Sequence, residues 1–244
     1  MNKLNCIFLS FMGFFLLECK KENANCFTTT GKDEIEKRQI TGFNSIKVND
    51  KIDVFFSQSK DSSFRVEVMA GEHILPNIKT FVDGDFLVIE NNSKCNFLRS
   101  YKRKISVHIT APHLIYIVNA GVGNFYTTDT IHENFVDYTI KNSGDINLKV
   151  NTKKIVGHMH GAGDVELSGI ANEHLVNSTG QSFIRAENLF TGYSEIHYRS
   201  SGEARVYVAG LLDVSISASG NVYYRGNPNT VLVKNSGTGK LIKE

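Results

Sequence analysis

The chain has 244 residues and a formal net charge of +2 at pH 7. This length allows one or two domains, and the nearly balanced charge excludes the strong positive field expected of a nucleic-acid-binding protein. Three prolines, 20 glycines and no tryptophan are typical of a β-rich chain with glycine turns. A hydrophobic content of 41% argues against wholesale disorder.

Residues 1–18 are predicted to be a signal peptide. Lys3 precedes an apolar stretch from Ile7 to Leu17, which is shorter than the roughly 20 residues needed to span a bilayer. Cys19 follows directly and resembles the lipidated cysteine of bacterial lipoproteins, so we expect a membrane anchor there. Glu18 departs from that pattern, because a small residue is usual before the cysteine. An ordinary cleaved signal is therefore the alternative.

Residues 19–37 are predicted to be a polar tether. Cys26 and Cys95 remain once Cys6 is assigned to the signal and Cys19 to the anchor. In an exported protein such a pair predicts a disulfide, and two free thiols are the alternative. So few thiols argue against a metal site.

From Gln39 onward, apolar residues alternate with polar ones and predict strands. Glu72 to Ile78 predicts a helical turn that Pro76 keeps short. Asp83-Gly84 predicts a hairpin turn. The strands expected before residue 120 begin at or near Phe43, Ile52, Phe64, Ile78, Phe86, Ile105 and Leu114.

Residues 94–104 form the one concentrated basic patch in the sequence. Its candidate binding residues are Lys94, Arg99, Tyr101, Lys102, Arg103 and Lys104. Such a patch could hold an acidic polysaccharide or lipid headgroups, with Tyr101 as a stacking platform. A solvated loop is the alternative, and nucleic acid is not expected of an exported protein with balanced charge.

From Ala120 a short unit recurs: a small residue or serine, a glycine, one polar residue and an apolar run. The polar residue falls at 124, 145, 164, 181, 203, 221 and 240, in steps of 21, 19, 17, 22, 18 and 19 residues. Short strands and glycine turns at this period predict a β-solenoid. Glycine would supply backbone angles that a Cβ forbids, and small neighbours would let coils stack at about 4.8 Å. A β-sandwich or barrel is the alternative.

Several of these residues resemble a bacterial family described as "putative auto-transporter adhesin, head GIN domain". The resemblance is carried by the entry Phe43–Val48, by Ile52–Val54, by the serial Ser-Gly-x-Val units and by the ending Ser219–Pro228. It covers roughly residues 38–243, which we expect to form a single domain. The copy at Thr179–Phe183 departs from the pattern and leaves the register uncertain there.

The resemblance implies an all-β, right-handed β-helix-like solenoid with an irregular β-rich N-terminal part. It also implies export to the cell envelope, where we expect an outer-membrane lipoprotein facing the periplasm or the surface. The segments that contain Cys26 and Cys95 resemble a subgroup of this family in which both cysteines occur together. The resemblance therefore supports their pairing. The family supplies no catalytic motif to carry over.

Three acidic residues, Asp145, Asp164 and Glu203, occupy one column of the repeat together with Asn124, Gln181 and Asn221. If coils stack in register, neighbouring carboxylates lie roughly 5 Å apart, a spacing suited to Ca²⁺ or to a retaining glycosidase. Turn stabilisation by short polar side chains is the leading interpretation. The column also contains Lys240 and is therefore not purely acidic.

A pair of histidines is a further candidate metal site. His158 and His160 share one face of a predicted strand and could supply two metal ligands, although packing between coils is the simpler interpretation. There is no Gly-x-Ser-x-Gly elbow and no phosphate-binding loop.

We therefore predict a non-catalytic envelope scaffold without a cofactor, possible ligands being a glycan or a protein. A polysaccharide-acting enzyme and a purely structural protein are the alternatives, and the sequence leaves the oligomeric state open.

Overall fold

The computed structural model describes residues 30–93 and 104–244, which form seventeen strands and one short 3-10 helix. All seventeen strands belong to one continuously hydrogen-bonded sheet. Within this part of the chain, no helix has the length and apolar character needed to cross a membrane. The strands are β1 (Asp33–Arg38), β2 (Ser45–Val48), β3 (Asp53–Gln58), β4 (Arg65–Gly71), β5 (Ile78–Asp83), β6 (Phe86–Asn91), β7 (Ser106–Ala111), β8 (Tyr116–Asn119), β9 (Phe125–Thr127), β10 (Ile131–Ile140), β11 (Ile146–Met159), β12 (Val165–Gly180), β13 (Ile184–Ser200), β14 (Ala204–Ile216), β15 (Val222–Arg225), β16 (Thr230–Asn235) and β17 (Leu241–Lys243).

The chain winds into a β-solenoid of about seven coils, as the repeat predicted. Each long strand contributes to two stacks of parallel strands. We call the stack of β7, β3, β9, the first halves of β11–β14, β15 and β17 face 1. We call the stack of β6, β2, β8, β10, the second halves of β11–β14 and β16 face 2.

Alternation within each strand divides core from surface. In β11, Ile146, Leu148 and Val150 are fully buried, while Asn147 and Lys149 point outward. Equivalent inward positions of successive coils pack on one another, so a single hydrophobic cluster extends from Phe43 to Val222. A coil that could not bury its apolar side alone is stabilised by its neighbours.

The turn from face 2 to face 1 contains the recurring glycine, and its role differs from the predicted one. Gly144 and Gly220 do not have a positive φ. A Cβ at Gly144 would instead overlap the carbonyl oxygen of Gly123, and one at Gly220 would overlap that of Gly202. Glycine is required here because the backbones of consecutive coils approach too closely for any side chain.

The irregular copy at Thr179–Phe183 keeps its register, contrary to the expected uncertainty. Val165 pairs with Ile184 and Gly180 with Ser200. Buried Ser182 therefore takes the place of the column glycine, and its Oγ lies 3.1 Å from Ser178 Oγ. The register shifts lie elsewhere, at the bend between the faces, for example between Ala186 and Phe190.

The N-terminal part is irregular, as predicted, and departs from the chain order of the coils. The coil formed by β2 and β3 lies between the β6–β7 coil and the β8–β9 coil. Antiparallel pairs β1–β4, β4–β7 and β5–β6 cover this end of the solenoid. The hairpin turn at Gly84 (φ 59°) and the 3-10 helix Leu75–Asn77 were both predicted correctly. The alternative of a sandwich or barrel was wrong, because parallel pairs dominate.

Candidate functional site

The acidic column lies on face 1 at the start of each coil, and its side chains bond to the backbone of the next coil. Asp145 Oδ1 accepts a hydrogen bond from Asp164 N at 2.8 Å, and Asp164 Oδ1 accepts one from Phe183 N at 2.9 Å. Asn124 and Asn221 make the same bond to Asp145 N and Lys240 N. The column is therefore a ladder of side-chain caps that joins consecutive coils.

Gln181 does not belong to this column. Because Val165 pairs with Ile184, the residue opposite Asp164 is Phe183. With 183 in place of 181, the steps between column residues become 21, 19, 19, 20, 18 and 19 residues, and the repeat is more regular than the sequence suggested. Gly180 resembles the recurring glycine in sequence, which shifted the predicted column residue to Gln181. In the structure Ser182 occupies the place that glycine has in the other coils.

Two of the three acidic residues, Asp164 and Glu203, also contact basic side chains. Asp164 Oδ2 lies 2.9 Å from Arg185 Nη1, and Glu203 Oε2 lies 3.0 Å from Arg205 Nη1. The described residues contain no group of three or more His, Cys, Asp or Glu side chains that could hold a metal ion. These contacts are those expected from the leading interpretation, stabilisation of the turns, and cation binding by the column stays an untested alternative.

Most residues of the basic patch lie outside the described residues, as do Cys19, Cys26 and Cys95. Lys104 is described; it is exposed and lies just before β7. Lys94, Arg99, Tyr101, Lys102 and Arg103 therefore stay candidates on sequence grounds alone.

His158 near the end of β11 and His160 just after it share an outward face, as predicted. Their rings stack with a centroid distance of 6.5 Å. His158 Nε2 lies 3.5 Å from Asp137 Oδ2, and His160 Nδ1 lies 3.4 Å from Thr179 Oγ1. Burial raises the pKa of Asp137, and the contact with His158 opposes that rise. These contacts between neighbouring coils are the packing role that the simpler interpretation assigned to the pair.

Further along face 2, a polar groove opens across three coils. Outward positions of the second halves of β12, β13 and β14, and the residue that follows β14, line it, and its volume is about 340 Å³. Register places Asn177, His197 and Ser215 side by side on successive coils. The groove, which we call the His197 groove, is lined by Asn177, His197, Arg199, Ser215 and Ser217.

Neighbouring side chains hold the groove residues in place. Arg199 Nη2 donates to Asn177 Oδ1 at 3.2 Å. Glu195 Oε1 lies 2.8 Å from His197 Nε2, and Glu195 Oε2 accepts from Tyr193 Oη at 2.9 Å. The Tyr193 hydroxyl, followed by His197, lowers the pKa of Glu195, while burial and this hydrogen bond raise the pKa of Tyr193 to about 12. Glu195 therefore holds the His197 imidazole in place, while the Arg199 guanidinium is exposed.

The same face bears one pair of carboxylates on adjacent coils. Glu195 pairs in register with Asp213, so their backbones are about 5 Å apart. A general acid for glycoside cleavage needs a raised pKa, whereas the pKa of Glu195 is lowered. A lowered pKa does not suit Glu195 to protonate a leaving group, which favours a binding role for this carboxylate.

The sequence did not single out the groove, because its residues come from three coils and none forms a recognisable motif alone. A signal was nevertheless present. Asn177, His197 and Ser215 recur at nearly the repeat spacing, as do Arg199 and Ser217. Aligning the outward positions of successive coils would have revealed a continuous polar surface.

Solved structures share this fold. A "putative adhesin" from Bacteroides fragilis NCTC 9343 superposes with a TM-score of 0.80 at 22% identity. The match covers 87% of this chain and 97% of the other. A "putative lipid binding protein" from Parabacteroides distasonis ATCC 8503 superposes with a TM-score of 0.66 at 22% identity, covering 88% and 97%. No curated protein matches. At this identity the likeness establishes the β-solenoid fold.

The sequence pattern of one family matches residues 42–228. The chain belongs to that family, which is described as "Putative auto-transporter adhesin, head GIN domain". The resemblance found in the glycine units is thereby confirmed. An adhesin family indicates a non-enzymatic role and an extracellular or envelope location.

Proposed function

We propose that this protein is an exported, lipid-anchored, non-catalytic scaffold that binds a glycan in the His197 groove. The observation that carries the proposal is the composition of that groove. An amide, an imidazole, a guanidinium and two hydroxyls line one groove with a volume of about 340 Å³. Binding sites use such a small set of polar groups, held by rigid elements, to fix the orientation of a ligand.

Rigid presentation supports a binding role. Four of the five groove residues stand on the second halves of three parallel strands, and Ser217 directly follows the third. Bonds such as that between Arg199 and Asn177 hold them in place. A preformed site loses little conformational entropy when a ligand binds.

The charge of the groove favours an acidic sugar. Glu195 is already engaged by His197 and Tyr193, whereas the Arg199 guanidinium is exposed. Arginine binds carboxylates through two parallel hydrogen bonds. A uronic-acid unit is therefore the preferred ligand within the glycan class.

The anchor belongs to the same proposal. Lipidation at Cys19 would hold the scaffold to the envelope through the part of the predicted tether, residues 19–37, that precedes β1 (Asp33–Arg38). The described chain enters the solenoid at the end covered by β1 and β4. Mass spectrometry of the mature N-terminus checks this part. A processed chain that starts elsewhere than at a lipidated Cys19 would contradict it without affecting the groove.

The binding test is a screen of neutral and acidic glycans with the purified protein, followed by calorimetry on any hit. Arg199→Ala is expected to weaken binding of an acidic glycan at least about tenfold, because a charged hydrogen bond is lost. Arg65→Ala, which removes an exposed arginine on β4, is the matched control and should bind like the wild type. Equal losses in both variants, or no hit among the glycans, would refute the proposal.

A further inference from the structure

The last coil of the solenoid leaves its share of the core open. Register places Val231 on Leu212 and Val233 on Val214, all four at inward positions of face 2. Leu212 and Val214 are fully buried, whereas Val231 and Val233 are 38% and 51% exposed. Their neighbour Leu232, which points outward, is 49% exposed. Three consecutive apolar side chains therefore lie uncovered on one strand.

The backbone at this end is also unpaired. Among the described residues, β16 pairs only with β14, and β17 pairs only with β15. Ser236 N donates to Ile216 O, toward β14. Because the bonding direction alternates along a strand, the N–H and C=O groups of Val231 and Val233 point away from the protein. An exposed edge of this kind is a template for another strand.

The opposite end is built differently. Among the described residues it has two edge strands. On the face 1 side, β1 has the sequence DEIEKR, five charged residues in six, and charge of this density protects an edge against added strands. On the face 2 side, β5 pairs only with β6 and runs antiparallel to it, so it does not continue the parallel stacking of the coils. Head-to-tail stacking of copies is therefore disfavoured. A contact through the open end alone closes at two copies, as an isologous two-fold dimer requires.

The sequence of β16 is self-complementary in such a dimer. In an antiparallel pair, opposite residues point to the same side. Centring the two-fold axis on Leu232 places Val231 opposite the second copy's Val233 and Leu232 opposite its own equivalent. Lys234 then lies opposite Thr230 rather than opposite another lysine, so no like charges meet. The register also directs the free N–H and C=O groups of Val231 and Val233 at each other.

We propose that two copies of this chain associate tail to tail, through antiparallel pairing of β16 about Leu232. The pair extends the sheet of face 2 across the two-fold axis and covers the open ends of both cores. The proposal does not rest on the glycan site, because none of the residues that line the His197 groove lies on β16.

Sedimentation of the purified protein over a range of concentrations tests the proposal, with a monomer–dimer equilibrium as the expected result. Leu232→Lys and Leu232→Glu each place like charges on the axis and should weaken the dimer at least about tenfold. Mixing the two variants should restore a dimer, because lysine then faces glutamate. Since Leu232 points outward, circular dichroism should show both variants folded.

Ile170→Lys is the matched control, since Ile170 is 55% exposed on β12, away from the open end. It should dimerise like the wild type. A wild-type protein that stays monomeric at its highest soluble concentration would overturn the proposal. So would a dimer that survives both Leu232 substitutions, or variants that fail to recombine when mixed.

Discussion

The irregular part before β8 and the repeated coils after it bury their apolar residues equally well, but with different devices. Before β8, antiparallel strands, a hairpin with Gly84 at positive φ and a 3-10 helix close the structure. After it, the coils depend on glycines without room for a Cβ and on a ladder of Asp and Asn caps. Local turn geometry determines the first region, and contact between coils determines the second.

The largest expected effect concerns a disulfide between Cys26 and Cys95. Thr30 O accepts from His73 N, and Asn92 N donates to Asn77 O, so the described residues next to both cysteines reach the same covered end. Cys26→Ser should destabilise the protein by up to about 4 kcal/mol, because the unfolded chain loses a cross-link. Chemical denaturation measures this loss.

Cys95→Ser and the double variant should match Cys26→Ser, and reductant should abolish the difference from the wild type. An unchanged unfolding midpoint in Cys26→Ser would instead support the alternative of two free thiols.

A second effect belongs to the repeated coils. His174 is fully buried between Ile155 and Ser194, and neither ring nitrogen has a hydrogen-bond partner. Burial lowers its pKa from 6.5 to about 4. The unfolded chain therefore binds a proton that the folded chain does not. The contribution of neutral His174 to the free energy of unfolding is fully present above pH 6.5. It falls by about 3 kcal/mol as the pH approaches 4.

His174→Leu should remove this part of the pH dependence and also raise stability at neutral pH, since two unsatisfied nitrogens disappear. Denaturation at a series of pH values checks both. His108→Leu, on the exposed surface of β7, is the control and should leave the slope between pH 6.5 and 4 in place.

Substituting one glycine in each region tests the comparison between the repeated coils and the irregular part directly. Gly144→Ala places a methyl group on the carbonyl of Gly123, which neither backbone can avoid, and should cost about 3 kcal/mol. Gly84→Ala meets no atom within 4 Å but keeps a φ of 59°, and should cost about 1 kcal/mol. Thermal unfolding ranks the two variants. Equal losses would mean that close approach between coils is not what selects glycine.

The smallest effect concerns the ladder of caps. Asp145→Ala removes the acceptor for Asp164 N and should cost about 1 kcal/mol. Asp145→Asn keeps an acceptor oxygen, as Asn124 and Asn221 do, and should be nearly neutral. Calcium titration separates the alternatives: if added Ca²⁺ stabilised the wild type but not Asp145→Asn, the column would be a cation site.

The coil period, most strands and the hairpin at Gly84 were predictable because each depends on residues close in sequence. The position of the β2–β3 coil between the β6–β7 and β8–β9 coils was not predictable, because it depends on pairing between strands that are distant in sequence. Phe183 was missed as a column residue because Ser182 replaces the expected glycine. The His197 groove was missed because its residues share no local pattern and meet only when the coils are stacked.

The bend between the two faces has a consequence for how this fold can change. From Ala186 to Phe190 the chain takes four steps, whereas the paired residues Val206 and Tyr207 are adjacent. The bend thus already accommodates three extra residues, while the glycine turn has no room for one methyl group. Insertions, whether arising in evolution or made to display a peptide, should be tolerated at residues 187–188 and rejected at residues 143–145.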